Sequence, residues 1–153
     1  MRLLFTIIVL VTAFWQGTLQ AKTCDHSLDR SKLNYPSKKS LCPDGTTFTD
    51  YFTGKIHPCE DAHIDHVLPI NIAYSKGICG EKLKAFAKDK DNLKLIHKSI
   101  NLEKSDKNPF LYSKRHGPEI ETKVQKDVAS FLRNYSGISV EELKNDAAKS
   151  QSA

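Results

Sequence analysis

Four cysteines, Cys24, Cys42, Cys59 and Cys79, follow an apolar N-terminal run in a chain of 153 residues. Met1-Arg2 places a positive charge ahead of the apolar stretch Leu3 to Trp15, and Leu19-Gln20-Ala21 supplies an imperfect small-residue cleavage site, the pattern of a secretory signal peptide. The competing reading is an uncleaved membrane anchor, but a spanning helix needs about 20 apolar residues, and Gln16-Gly17 interrupts this run. Export to an oxidising compartment makes two disulfides the expected use of the cysteines. Three pairings are open, and the sequence does not choose among them. A zinc site competes with disulfides, yet no Cys-x-x-Cys pair occurs, and structural zinc sites usually draw on close ligand pairs.

The length suits one small domain with a modest core, which disulfides or a metal would help stabilise. Residues 22–58 mix Pro36, Pro43, Gly45 and Gly54 with polar residues and read as loops and short strands. His63 to Val67 alternates polar and apolar residues, a strand that Pro69 ends. Leu93 to Ile96 is the second strand. Between them Leu83, Phe86 and Ala87 share one face of a short helix, so the connection is longer than a tight hairpin. A short helix starting at Ser99 or Asn101 should end before Pro109. The spacing of Ile120, Val124, Val128 and Phe131 predicts an amphipathic helix over 119–134, closed near Gly137. Ser139 with Glu142 reads as a capping box opening a last helix. The expected class is α+β, a single domain with C-terminal helices. Its divisions are a leader (1–21), an N-terminal loop-rich segment (22–58), the main body (59–146) and a fraying tail (147–153).

Loss of the leader after Ala21 leaves 22 Lys and Arg against 18 Asp and Glu, a formal charge of +4. From Lys76 to Arg115 there are eleven Lys or Arg against five acids. Such a window suits a polyanion bound with salt-sensitive affinity, although Glu81 to Lys90 alone reads as a solvated helix face.

The run Asp65-His66-Val67-Leu68-Pro69, then Asn92-Leu93, then Asn101-Leu102-Glu103-Lys104-Ser105-Asp106 collects the parts for hydrolysing a phosphodiester. Asp65 and Asn101 are hard oxygen donors for a divalent cation, and His66 has the intrinsic pKa of a base near neutrality. Adjacent strand residues point to opposite faces, so Asp65 and His66 can share one site only where the strand bends or ends. Pro69 makes such an irregularity plausible. His63 shares the strand face of Asp65 and is a candidate substrate contact or a surface residue. His97 is a candidate for support behind the site. Lys104 and Arg115 are candidate phosphate contacts, with surface solvation as the ordinary reading.

Taken in order, the segment from about His63 to Pro109 resembles an HNH, or ββα-metal, nuclease, and the fuller pattern is similar to secreted bacterial members. The nine-residue step from Asn92 to Asn101 matches the family's spacing. The resemblance implies a ββα hairpin–helix motif within 59–146, with Asp65 and Asn101 as metal ligands and His66 as general base. It implies that Asn92 bonds the backbone or the imidazole region so that His66 is held in a productive orientation. Two protein ligands suit Mg2+ first, with Mn2+, Zn2+ and Ni2+ as alternatives. Where many members carry a Cys-x-x-Cys zinc ribbon, this chain has His97 and Ile100, so the ribbon is expected to be absent.

These observations together imply a secreted or periplasmic metal-dependent endonuclease acting on DNA, with RNA as a further substrate, and without stable membrane association after cleavage. Low sequence preference is expected, because no recognisable base-reading module is present and phosphate contacts carry no sequence information. The alternative is a disulfide-stapled polyanion-binding or interaction module without catalysis. A third reading is a metal-dependent phosphoesterase acting on small substrates.

Overall fold

The computed structural model describes residues 24, 27–42 and 45–152. The expected leader lies outside them. A first strand pair forms within the N-terminal segment, where β1 (Thr47–Thr49) and β2 (Ile56–Pro58) run antiparallel. The turn between them needs Gly54 at φ +67, a left-handed conformation that only glycine adopts without steric cost. Asp50, fully buried, organises this turn by accepting hydrogen bonds from the Phe52 and Thr53 amides and the Thr53 hydroxyl. Its other oxygen accepts the His97 amide at 2.6 Å, tying the first sheet to the second.

The second sheet pairs β3 (Ala62–His66) with β4 (Leu93–His97), antiparallel and in register from Ala62 opposite His97 to His66 opposite Leu93. Between these strands the chain forms α2 (Ile70–Ser75) and α3 (Gly80–Lys88), after a short α1 (Lys38–Leu41) upstream. Leu83, Phe86 and Ala87 are buried together on α3, as their spacing predicts. From β4 the chain passes directly into α4 (Lys98–Lys104), whose first turn is capped by the His97 side chain accepting the Ser99 amide. The order strand, inserted helices, strand, helix is the ββα arrangement expected, with α4 starting slightly early because a histidine serves as its cap.

Beyond it come α5 (Pro109–Ser113), α6 (Pro118–Leu132) and α7 (Val140–Lys149). Val124, Val128 and Phe131 of α6 are fully buried, and they join Phe52, Phe86, Tyr112 and Leu143 in one core. Leu33 and Tyr51 of the N-terminal segment belong to the same cluster. Ser139 caps α7 by accepting the Glu142 amide, but Glu142 turns outward to bond Lys76 at 2.7 Å rather than closing the box. The fraying expected from Ala147 is corrected: Ala147 is buried and α7 runs on to Lys149, because its apolar face packs on the core. The short helices α2 and α5 lack a readable apolar period, so the sequence does not announce them.

The cysteines pair as Cys24–Cys79 and Cys42–Cys59, with Cα separations of 5.7 and 6.4 Å. The first staples the N-terminal segment to the start of α3, and the second ties the end of α1 to the residue range just before β3. Among the described residues no helix is long and apolar enough to cross a membrane. Replacing either pair by serine should lower stability by about 2–5 kcal/mol. The loops closed are 55 and 17 residues apart in sequence, and the logarithmic loop term makes the Cys24–Cys79 loss larger by about 1 kcal/mol. Urea unfolding of the two double-serine variants checks both magnitude and order.

Candidate active site

At the end of the β3–β4 pair lies a cleft of about 540 Å³. It draws Asp65 and His66 from β3, Asn101 from α4, Asp106 from the turn after α4, and Arg30 and Tyr35 from the N-terminal segment. Asp65 and His66 both line it because His66 is the last residue of the strand. The Val67 amide makes one more bond, to the Asn92 carbonyl at 2.8 Å, before Pro69 turns the chain into α2.

Asn92 fixes that departure. Fully buried, it accepts the Leu68 amide at 2.8 Å and donates to the Leu68 carbonyl at 3.1 Å, so its amide imitates a neighbouring strand. It acts on the backbone two residues after His66 and not on the imidazole.

His66 Nε2 lies 2.9 Å from the Ala87 carbonyl. A carbonyl oxygen only accepts, so Nε2 carries the proton and the lone pair of the neutral ring resides on Nδ1. Among the described residues Nδ1 makes no hydrogen bond. The ring sits between Phe86, stacked at 6.5 Å, and Tyr35, edge-on at 5.5 Å. Burial pushes its pKa below the ordinary 6.5, helped by the charges of Lys104 and Arg30 and opposed by the Ala87 bond.

Asp65 is 9% exposed, and its Oδ2 lies 2.8 Å from Lys104 Nζ. The contact is a buried ion pair, in which the Lys104 ammonium is the partner of Oδ2. Burial raises the Asp65 pKa, against the Lys104 charge. Lys104 itself is fully buried and donates to the His66 carbonyl at 3.0 Å. The phosphate role considered for Lys104 is thereby corrected: its ammonium is used inside, clamping the end of β3.

Asn101 and His63 meet at 3.0 Å, amide nitrogen to Nδ1. With the nitrogen committed to His63, the Asn101 oxygen is the atom left for a ligand. His63 thus supports Asn101 from the adjacent strand. His97 is at the opposite end of the sheet from His66, where it caps α4 and packs against His57 at a centroid distance of 4.4 Å. Arg115 lies outside the cleft, exposed, 3.9 Å from Glu103. The lysine-rich window is also less positive than its sequence suggests. Lys76 meets Glu142 and Asp146, Lys84 meets Glu81, and Lys98 meets Asp61.

Among the described residues, no three His, Cys, Asp or Glu side chains converge as a metal-binding group. Asp65 and Asn101 are an oxygen-only pair that lines the cleft, with Asp65 Oδ2 already held at 2.8 Å by the Lys104 ammonium. Such donors fit a hard cation that retains waters and do not fit a tetrahedral zinc cage. Arg30 and Tyr35 are residues that the sequence does not single out, since they carry no motif and reach the cleft only through the tertiary fold, and Asn71 bonds Arg30 and Asp106 beside it. Asp106 ends the motif that contains Asn101, which is the one local signal for it.

No family model, no curated protein and no solved structure matches the chain.

Proposed function

We propose that this chain is an exported, metal-dependent endonuclease that hydrolyses phosphodiester bonds of DNA, with RNA as a further substrate, and with little sequence preference. The observation that carries this reading is the pinning of His66 Nε2 on the Ala87 carbonyl, which leaves Nδ1 as the basic nitrogen of a cleft shared with Asp65 and Asn101. The order of the Asp65-His66, Asn92 and Asn101 motifs, which resembles HNH nucleases, supports it. Export is supported by the leader-like N-terminus and the two disulfides.

In this reading a water at Nδ1 gives up a proton to His66 as its oxygen bonds to phosphorus. The bond from phosphorus to the 3′-oxygen breaks, and that oxygen takes a proton from solvent. A hard divalent cation, Mg2+ first, would be held by Asp65 and Asn101 and would supply charge relief at the scissile phosphate and the leaving oxygen. Lys104 keeps Asp65 and the His66 backbone in fixed relation, and Asn92 sets the path of the chain beyond them. A base must be oriented as well as correctly protonated. The internal pairing of several lysines of the basic window weighs against a purely electrostatic polyanion binder.

The lowered His66 pKa has two consequences. A histidine whose folded value lies below its unfolded one binds protons more readily when unfolded, so its contribution to stability is present above about 6.5 and is lost as pH falls from there through the folded value. The acid limb of kcat/KM should likewise fall below the ordinary histidine value of 6.5. A pH–rate profile placing that limb above 6.5 would contradict the buried neutral base.

The function is tested by digesting a DNA oligonucleotide in Mg2+ and determining the new ends by mass spectrometry. Ends carrying a 5′-phosphate and a 3′-hydroxyl are expected. An intact oligonucleotide, or 3′-phosphate ends, would contradict the assignment.

A further inference from the structure

With Lys104 inside and Arg115 elsewhere, a protein cation that meets a phosphate in the cleft must be another residue. Among the described residues that line the cleft, Arg30 is the one Lys or Arg, and it is ion-paired with Asp106 at 3.1 Å through a single nitrogen. It opens a short 3-10 turn, Arg30–Lys32, whose entry is capped by Asp29 accepting the Ser31 amide at 3.1 Å. The segment is fixed on both sides, by the Cys24–Cys79 disulfide before it and by buried Leu33 after it.

Arg30 is also held in direction. A single nitrogen, Nη2, lies 2.7 Å from Asn71 Oδ1 and 3.1 Å from both Asp106 oxygens, and Asn71 Nδ2 in turn bonds Asp106 at 2.5 Å. A guanidinium has five N–H donors, so Nε and Nη1, without a protein partner among the described residues, remain for a ligand. The side chain is 49% exposed. Asp106 reaches Arg30 because Ser105, at φ +49 and ψ −136, reverses the chain at the end of α4. Non-glycine residues seldom adopt that conformation, and it persists where the surroundings determine it. Next to Arg30 the exposed Tyr35 ring stands edge-on to His66, 5.5 Å between centroids.

We propose that Arg30 and Tyr35 form a nucleotide subsite, Arg30 taking a backbone phosphate and Tyr35 stacking an unpaired base beside it, so that the preferred substrate is single-stranded or locally opened nucleic acid. The proposal rests on the nuclease reading for its substrate and adds strand preference to it. Aromatic rings bind bases of single strands by stacking, largely regardless of sequence. In an intact duplex both faces of each interior base are already stacked, and Tyr35 has nothing to take. Asp106 and Asn71 act as positioning residues for the guanidinium, and Arg30 bridges to them by one nitrogen while offering the rest.

The test is binding by the mature disulfide-bonded chain in EDTA, with fluorescently labelled oligothymidylate and a duplex of equal length as probes, titrated at several salt concentrations. Tyr35→Ala should weaken oligothymidylate by about 5- to 150-fold and the duplex far less, whereas Tyr35→Phe should bind as the parent does. Arg30→Ala should weaken the single strand and make its log–log salt slope shallower by about 0.7, the value for one phosphate contact, while Arg30→Lys keeps the slope. A role confined to holding the N-terminal segment would leave the slope unchanged and affect both probes equally, and either result would overturn the subsite. Thermal unfolding confirms that each variant is folded. A parent chain that cuts plasmid while these variants bind normally removes the subsite alone. A parent chain that never cuts, with the binding effects present, removes the nuclease reading and leaves the subsite standing.

Discussion

Replacement of His66 by alanine should reduce kcat/KM by about 10²–10⁴-fold, the usual contribution of a general base, with the chain still folded. The substitution removes Nδ1 from the cleft and the Nε2 bond to Ala87. It leaves the Asp65–Lys104 pair and the Asn92 clamp on Leu68 in place, because Lys104 contacts the His66 backbone and not its ring. Steady-state rates on an oligonucleotide, read beside a thermal melt, check the outcome. Parental activity in a folded variant would show that another group activates the water.

Lys104→Met should cost about 3–5 kcal/mol of stability near neutral pH, the range for breaking a buried ion pair by removing one partner. Lys104 is fully buried, and its loss leaves the Asp65 carboxylate enclosed without a cation. The double variant Asp65→Asn/Lys104→Met should recover much of the loss, since an unpaired charge is then no longer enclosed. The pH dependence has a definite sign. Without Lys104 the Asp65 pKa rises further above its unfolded value, so the single variant should regain stability as pH falls and the carboxyl takes up a proton. Urea unfolding at neutral and acid pH measures both effects. A loss below about 1 kcal/mol, within the range of exposed pairs, would contradict the buried clamp.

The parts of the fold that were legible are those whose signal is local. Leu83, Phe86 and Ala87, or Val124, Val128 and Phe131, declare a helix by spacing alone, and Pro69 and the Asn92-Leu93 junction mark where a strand stops and the next begins. The candidate site was legible for the same reason, as Asp65, His66, Asn92 and Asn101 lie in one stretch and the strand pair and following helix bring them together. The readings that changed depend on distant partners. A lysine is ordinarily at the surface, and nothing around Lys104 in sequence says that Asp65 and the His66 carbonyl will enclose it. His97 is close to Asn101 along the chain, yet the register places it at the opposite end of the sheet from His66, where it caps α4. Arg30 and Tyr35 arrive from the N-terminal segment, and their place beside His66 is set by the disulfide to Cys79 and the burial of Leu33. Asp50 likewise reads as an ordinary turn residue, although its second oxygen joins the two sheets.

The central claim, that the cleft around His66 cuts a nucleic-acid backbone with the help of a cation held by Asp65 and Asn101, is tested most directly on supercoiled plasmid. The disulfide-bonded chain is incubated with it in Mg2+, in the absence of added metal, and in Mg2+ with excess chelator. The account predicts nicked and then linear DNA in Mg2+ alone, with cutting abolished by the chelator. Supercoiled DNA that stays intact in Mg2+, or cutting that proceeds equally in the chelator, would contradict it.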